Sequence, residues 1–155
     1  VMVVGCVSMK DPNQNIIGEV IGDNFALVRI PFETGDSGVK VVVFSGADFH
    51  DYSTAYNNYS ITRSFAGFGG PDTIDLKVTP GTHEFTVVWY VTDSETLTTT
   101  QSYDFKTGKW YEFKNNALLD TNIITGSTQV HILEGTLEAG EPIGETEEVL
   151  VFEIR

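Results

Sequence analysis

The feature that most constrains the fold of this chain is a succession of short runs in which apolar and polar residues alternate. The run from His83 to Thr92 and the threonine-rich run from Thr96 to Phe105 are joined by a short turn, and other runs end at Pro–Gly or Gly–Lys pairs. A period of two is typical of a β-strand with one face buried. Two such runs joined by a short turn predict a β-hairpin.

The alternation also predicts which side chains point into a core. The predicted inward residues are Ile74, Leu76 and Val78 in one strand, and Phe85, Val87, Trp89 and Val91 in the next. Val39–Phe44 is apolar almost without interruption, which predicts a central strand. The strand beginning at Phe25 is predicted to end before Pro31, because proline lacks the N–H that a sheet uses.

Three segments depart from this pattern. Residues 45–58 mix aromatic and polar side chains and predict a long loop or one short helix around Ser53–Tyr56. Tyr59–Phe65 alternates and predicts a strand, while Glu134–Glu148 is rich in acids and glycine and predicts an exposed loop. Together the runs predict nine or ten strands. The expected fold is an all-β, two-sheet antiparallel sandwich of prealbumin or immunoglobulin-like character.

Composition limits the classes of partner. The 155 residues fit one domain, which we expect to cover residues 16–155. The net charge of −13 repels phosphate backbones, so we expect no nucleic-acid partner. With one cysteine, a disulfide within the chain and a multi-cysteine zinc site are both excluded.

That cysteine, Cys6, follows Val3-Val4-Gly5 and precedes a polar stretch that runs to Asn15. The arrangement resembles the end of a bacterial lipoprotein signal peptide, in which a small residue precedes the cysteine that accepts lipid. The resemblance implies cleavage before Cys6, a lipid anchor on its sulfur, and a tether up to residue 15. The competing interpretation is an ordinary buried strand through Val1–Val7 with a core cysteine.

A second resemblance covers roughly residues 36–115. A strand ends in the turn Thr79-Pro80-Gly81-Thr82-His83, and Thr107-Gly108-Lys109 precedes an aromatic strand that begins at Trp110. This order is similar to a family of small β domains of unknown function in bacterial lipoproteins, with a turn like that of transthyretin-like and carboxypeptidase-regulatory-like modules. The resemblance implies a sandwich in the cell envelope and no catalytic residue. Segments 46–58 and 134–148 depart from the pattern and are where a function peculiar to this chain is expected.

Candidate chemistry is sparse. No Gly-x-Ser-x-Gly motif is present, and we expect His83 to bond turn carbonyls and His131 to be solvated or at an edge. Asp48, His50 and Asp51 lie within four residues, and a metal-dependent enzyme built on them is an alternative. The main expectation is no enzyme, no metal and no cofactor.

Aromatic residues between 49 and 68 form the most distinctive group. Their rings are candidates for stacking on sugar or for anchoring a partner, and the competing interpretation is that they cap one end of the sandwich. The predicted ligand-binding residues are Tyr52, Tyr56, Tyr59 and Phe68. The predicted function is a non-enzymatic cell-envelope lipoprotein domain in adhesion or assembly. The alternative is a carbohydrate- or small-ligand-binding module that uses this aromatic segment.

Overall fold

Two β-sheets make up most of the chain in a computed structural model, which describes residues 15–34, 38–63, 71–92 and 94–155. Strand accounts for 66% of the structure and helix for 8%, which confirms the all-β sandwich. The strands are β1 Ile16–Ile17, β2 Ala26–Glu33, β3 Gly38–Phe44, β4 Ala47–Asp48, β5 Asp72–Val78, β6 Gly81–Thr92, β7 Glu95–Phe105, β8 Lys109–Lys114, β9 Thr121–Asn122, β10 Ser127–Glu138 and β11 Glu141–Ile154; the helices are α1 Tyr52–Asn58 and α2 Ala117–Asp120.

The larger sheet has the order β1-β5-β2-β8-β10-β11, with β9 paired to the start of β10, and the smaller sheet has the order β4-β3-β6-β7. Most neighbours are antiparallel, but β1 with β5 and β2 with β8 are parallel. The purely antiparallel expectation is therefore corrected at these two pairs. Because β2 and β8 run in the same direction, both strands end at the same end of the sandwich.

The core lies between the sheets and follows the predicted alternation. Ile74, Leu76, Val78, Phe85 and Val87 are fully buried. Trp89 joins the same core cluster, and Val91 packs against it. Every second side chain of these strands thus points between the two sheets, and together these side chains form one apolar layer, as in other β-sandwiches. The hairpin of β6 and β7 pairs over almost its whole length, as predicted.

Pro31 does not end β2, contrary to the prediction. The strand continues to Glu33, and Pro31 lies opposite Thr73 of β5 just before a register shift. On the other side of β2, the pairing with β8 stops at Arg29. Proline is tolerated in a sheet where its missing N–H faces no partner or sits at a bulge, and both conditions are met here.

The acidic segment Glu134–Glu148 is not a loop, which corrects a second prediction. It forms the far half of the hairpin between β10 and β11, with Thr136 opposite Ile143 and Glu138 opposite Glu141. The turn uses Ala139 and Gly140, both at positive φ, as a tight two-residue hairpin turn requires. Acidic composition indicated exposure here, but exposure is compatible with a paired strand.

Two further predictions are corrected by the pairing. The run from Tyr59 does not form a strand within its described part, where Thr62 makes one isolated bridge to Thr73. β3 is not a central strand along its length, because its outer neighbour β4 has only two residues. The outward side chains of β3, Lys40 and Val42, are nonetheless buried, and Tyr52 of α1 lies over Lys40. Along the edge of β3, Phe49 donates its N–H to the Val42 carbonyl.

Two predicted functional residues, Cys6 and Phe68, lie outside the described residues. In the described part of the chain, neither helix has the length and apolar character needed to span a bilayer.

Candidate functional site

A groove of about 860 Å³ lies where β2 and β8 end, and it is the candidate functional site. Strands that are far apart in sequence build its floor, and the segment after β8 builds one wall. Its lining includes Arg29, Pro31, Thr62, Thr73, Glu112, Lys114, Asn115, Asn116, His131 and Leu133. Eight of these ten residues have hydrogen-bonding side chains, but apolar atoms provide the larger share of the groove's accessible surface. The groove is therefore suited to an extended ligand with both polar and apolar groups.

A row of charges fixes the floor of the groove. Arg29 donates from Nε and an Nη to the two Asp75 oxygens over 2.8 and 3.1 Å. That hydrogen bonding raises the pKa of Arg29, and the nearby Glu112 carboxylate adds to the effect. The guanidinium also lies 5.5 Å from the centre of the Trp110 ring. Arg29 is therefore held on three sides and is a positioned donor rather than a mobile charge.

His131 joins the wall of the groove to the floor. Its Nε2 lies 2.9 Å from Asp120 Oδ1 at the end of α2, and its Nδ1 contacts Glu148 of β11. Partial burial alone would lower the pKa of His131, but the two carboxylate hydrogen bonds outweigh burial and raise it. Both ring nitrogens then act as donors, which requires the charged imidazolium. The predicted solvated or edge position is corrected to a bridging one that is largely shielded.

The segment after β8 is tied down by its own polar side chains. Asn116 Oδ1 accepts hydrogen bonds from the N–H groups of Leu118 and Leu119, and Asp120 accepts one from the Asn116 N–H. Asn122 Oδ1 accepts from the N–H groups of Ile124 and Thr125. Asn115 donates to Thr128 and to the Gln129 carbonyl of β10. Most of the backbone N–H groups of residues 116–126 are thus hydrogen-bonded to other groups of the protein.

Four large aliphatic side chains on this segment point away from the protein. Leu118, Leu119, Ile123 and Ile124 are 92%, 83%, 90% and 93% exposed. We call these four residues the aliphatic tip. Scattered exposed leucines are ordinary, but here four large aliphatic residues lie within seven consecutive positions, on two turns joined by the two-residue strand β9. Neither the tip nor the groove was predicted from the sequence. The features that could have indicated the tip are the two aliphatic pairs, Leu118-Leu119 and Ile123-Ile124, each close to an asparagine that caps a turn.

The three predicted aromatic residues that the structure describes, Tyr52, Tyr56 and Tyr59, pack against other rings on the sandwich rather than forming a single open platform. The Tyr52 and Tyr56 rings each meet the buried Phe32 edge-on at 5.5 Å, and Tyr59 lies 4.9 Å from Phe49. Tyr56 also donates its hydroxyl to Glu33. Tyr52 is 40% exposed, so its ring has an accessible edge beyond its packing contact.

Beneath Tyr52 lies Lys40, which is 1% exposed. Its Nζ lies 4.1 Å from the centre of the Tyr52 ring and within 6 Å of the centres of the Phe32 and Tyr90 rings. Burial lowers the pKa of Lys40, while the carboxylates of Glu33 and Asp48 oppose that effect. Cation–π contacts stabilise an ammonium that is shielded from water. Lys40 therefore helps to hold α1 over β3.

The candidate residues Asp48, His50, Asp51 and His83 take part in three separate sets of hydrogen bonds. His50 Nδ1 lies 2.8 Å from Asp48 Oδ1, whereas Asp51 accepts from the N–H groups of Ser53 and Thr54 at the start of α1. Among the described residues no group of three metal-ligating side chains converges. His83 donates or accepts through Nδ1 with Ser45 and bonds the Thr79 carbonyl through Nε2 over 2.6 Å, which confirms its predicted role in the turn.

Comparison with protein-family models, with curated proteins and with solved structures found no match in any of the three searches.

Proposed function

We propose that this chain is a non-enzymatic domain of the bacterial cell envelope that acts in adhesion or assembly, by binding a partner protein in the groove. The groove carries the proposal. Its volume is that of a ligand site, and its donors are held in place by the Arg29–Asp75 pair and the His131 bridge. Preorganised donors reduce the entropy that a partner must lose on binding.

The chemistry of the groove favours a protein ligand over a reaction. Its hydroxyl and amide groups come from threonine and asparagine, and three of its ionisable residues, Arg29, Asp120 and His131, are occupied in ion pairs. The main-chain groups of Thr62 and Thr73 are paired with each other, but their side-chain hydroxyls line the groove and can donate or accept hydrogen bonds to the backbone of an extended peptide. Prolines 31 and 71 and Leu133 add apolar contacts beside them.

Location in the envelope rests on Cys6. We propose cleavage before this residue and a diacylglycerol thioether on its sulfur, as the Val3-Val4-Gly5-Cys6 pattern predicts. Each buried methylene of the acyl chains adds about 0.8 kcal/mol of membrane affinity, so two or three chains give a stable anchor. The groove would then be presented to partners from a membrane surface.

Photo-crosslinking in the native envelope tests the groove directly. Benzoylphenylalanine is placed at Thr62 or Lys114, which line the groove, and at Thr98 on the exposed face of β7 as the matched control. We expect a discrete covalent adduct with one protein from the two groove positions and none from Thr98. Equal adducts at all three positions, or none at the groove positions, would contradict the proposal.

The exposed edge of Tyr52 favours a second candidate, carbohydrate binding at α1. An aromatic ring beside the caged Lys40 offers a stacking surface for a sugar. A glycan array compares wild type with Tyr52→Ala. Binding that this substitution abolishes while the groove positions form no adduct would favour this candidate over a protein partner.

A further inference from the structure

The aliphatic tip is an apolar surface that the proposed groove function does not use. Its four side chains are among the most exposed large hydrophobic residues described, and they sit on a backbone whose N–H groups are bonded to Asn116 and Asn122. We propose that the aliphatic tip enters the interfacial region of a zwitterionic lipid bilayer and so gives the domain a second point of membrane contact.

Satisfied backbone groups are the first observation that favours a bilayer. In lipid, each unbonded peptide group is costly, because no water replaces its hydrogen bonds. In the tip, Asn116 binds the N–H groups of Leu118 and Leu119, and Asn122 binds that of Ile124. Gly126 donates to the Asn122 carbonyl. The tip can therefore leave water without exposing many unbonded donors.

The chemistry of the side chains is the second observation. The tip presents leucine and isoleucine, whereas protein-binding hot spots are enriched in tryptophan, tyrosine and arginine. Asp120 is the one acidic residue between Ala117 and Gly126, and it is bound to His131. No net charge on the tip itself therefore opposes contact with apolar chains.

The distribution of charge selects the type of lipid. The glutamates at the β10–β11 turn lie at the other end of β10, which has 12 residues. At the rise of a β-strand this is roughly 35–40 Å from the tip. The Debye length in physiological salt is about 8 Å, so this acidic turn does not repel a bilayer at the tip. Closer to the tip, Asp120 and Glu148 share the single cation His131, so an excess of negative charge remains there. That local charge disfavours anionic headgroups, and neutral headgroups are the fitting partner.

Vesicle flotation of the full chain, without lipid modification, tests this contact independently of the groove. Phosphatidylcholine vesicles are mixed with wild type, with Ile123→Ser/Ile124→Ser, and with the control Ile21→Ser. Ile21 is an isoleucine that is 68% exposed in a turn elsewhere on the surface. We expect wild type and the control to float, and the partition coefficient of the double variant to fall about tenfold or more. Circular dichroism is expected to be unchanged, because the two substituted side chains are 90% and 93% exposed.

A second readout places the tip within the bilayer. Ile124→Trp is expected to shift its fluorescence to the blue on binding and to be quenched by brominated phosphatidylcholine, while Ile21→Trp is not. Adding phosphatidylglycerol is expected to weaken binding. The proposal is overturned if wild type does not float, if the double variant floats as well as wild type, or if the tip instead mediates a concentration-dependent dimer or binds a protein without lipid. None of these outcomes bears on crosslinking in the groove.

Discussion

At the scale of single residues, the structure is most sensitive where one side chain serves two elements. His131 is such a residue, because its ring joins α2 to β11 across β10. Lys114 lies opposite His131 on β8. Trp110 and Gly135 form a second pair of this kind, with the indole lying on the glycine of the neighbouring strand.

His131 is predicted to make stability depend on pH. Its folded pKa lies above the 6.5 of the unfolded chain, so its stabilisation is complete below that value and is lost as the pH rises through the folded pKa. Relative to His131→Gln, we expect wild type to gain about 1 kcal/mol near pH 6, a modest figure because Glu148 is half exposed. Urea unfolding of both proteins at several pH values measures the difference, and a difference that grows above pH 7 would contradict the bridge.

Gly135→Ala is predicted to destabilise the fold by about 1–3 kcal/mol. A Cβ at this position would lie 2.2 Å from Nε1 of Trp110 and 2.8 Å from its Cδ1, so the indole has to move. Thr136→Ala is the matched control on the exposed face of the same strand, and we expect it to change stability by less than about 0.5 kcal/mol. Chemical denaturation compares the two, and equal midpoints would show that Trp110 does not need the glycine.

Among the secondary-structure elements, the short helices are stabilised by capping side chains and aromatic contacts, because they are too short to be stable alone. α1 has only seven residues, and it is fixed by Asp51 at its start and by the contacts of Tyr52 and Tyr56 with Phe32. Isolated helices of this length are unstable in water. The aromatic segment therefore depends on its packing against β2 and β3 for its shape.

Asp51→Ala is predicted to cost about 1 kcal/mol, because it removes the acceptor for the Ser53 and Thr54 N–H groups. The control is Asp104→Ala on the exposed face of β7, which caps no helix. Thermal unfolding followed by circular dichroism checks the pair. A similar change in melting temperature for both variants would indicate that the effect comes from net charge and not from the cap.

Strands in which apolar and polar residues clearly alternate could be predicted from the sequence. Strands whose extent depends on pairing with distant strands could not. β5, β6 and β7 follow their apolar period, and the prediction of a short helix near Ser53–Tyr56 is confirmed by α1. The second half of β11 is predicted as a strand over Val149–Ile154, whereas its first half, Glu141–Glu148, is predicted as a loop because it is acidic, glycine-containing and exposed. β2 continues through Pro31 because its neighbour β8 pairs with it only as far as Arg29. That pairing is part of the tertiary structure and is not visible in the local sequence.

At the scale of the whole molecule, the groove comes from the parallel alignment of β2 and β8. It brings Arg29, Thr73, Glu112 and His131 together from four strands across more than half of the chain. No local motif encodes such a site, so sequence reasoning directed attention to segments 46–58 and 134–148 instead. The groove and the aliphatic tip lie outside both segments, and they share one wall between Asn115 and Asp120.

We propose that this domain is anchored in the cell envelope and binds its partner there. Mass spectrometry of the native protein, extracted from membranes with detergent, examines the anchor at Cys6. We expect a mature chain that begins at Cys6 and carries the mass of a diacylglycerol thioether on that residue. An unmodified Cys6 in a chain that retains residues 1–5 would contradict it.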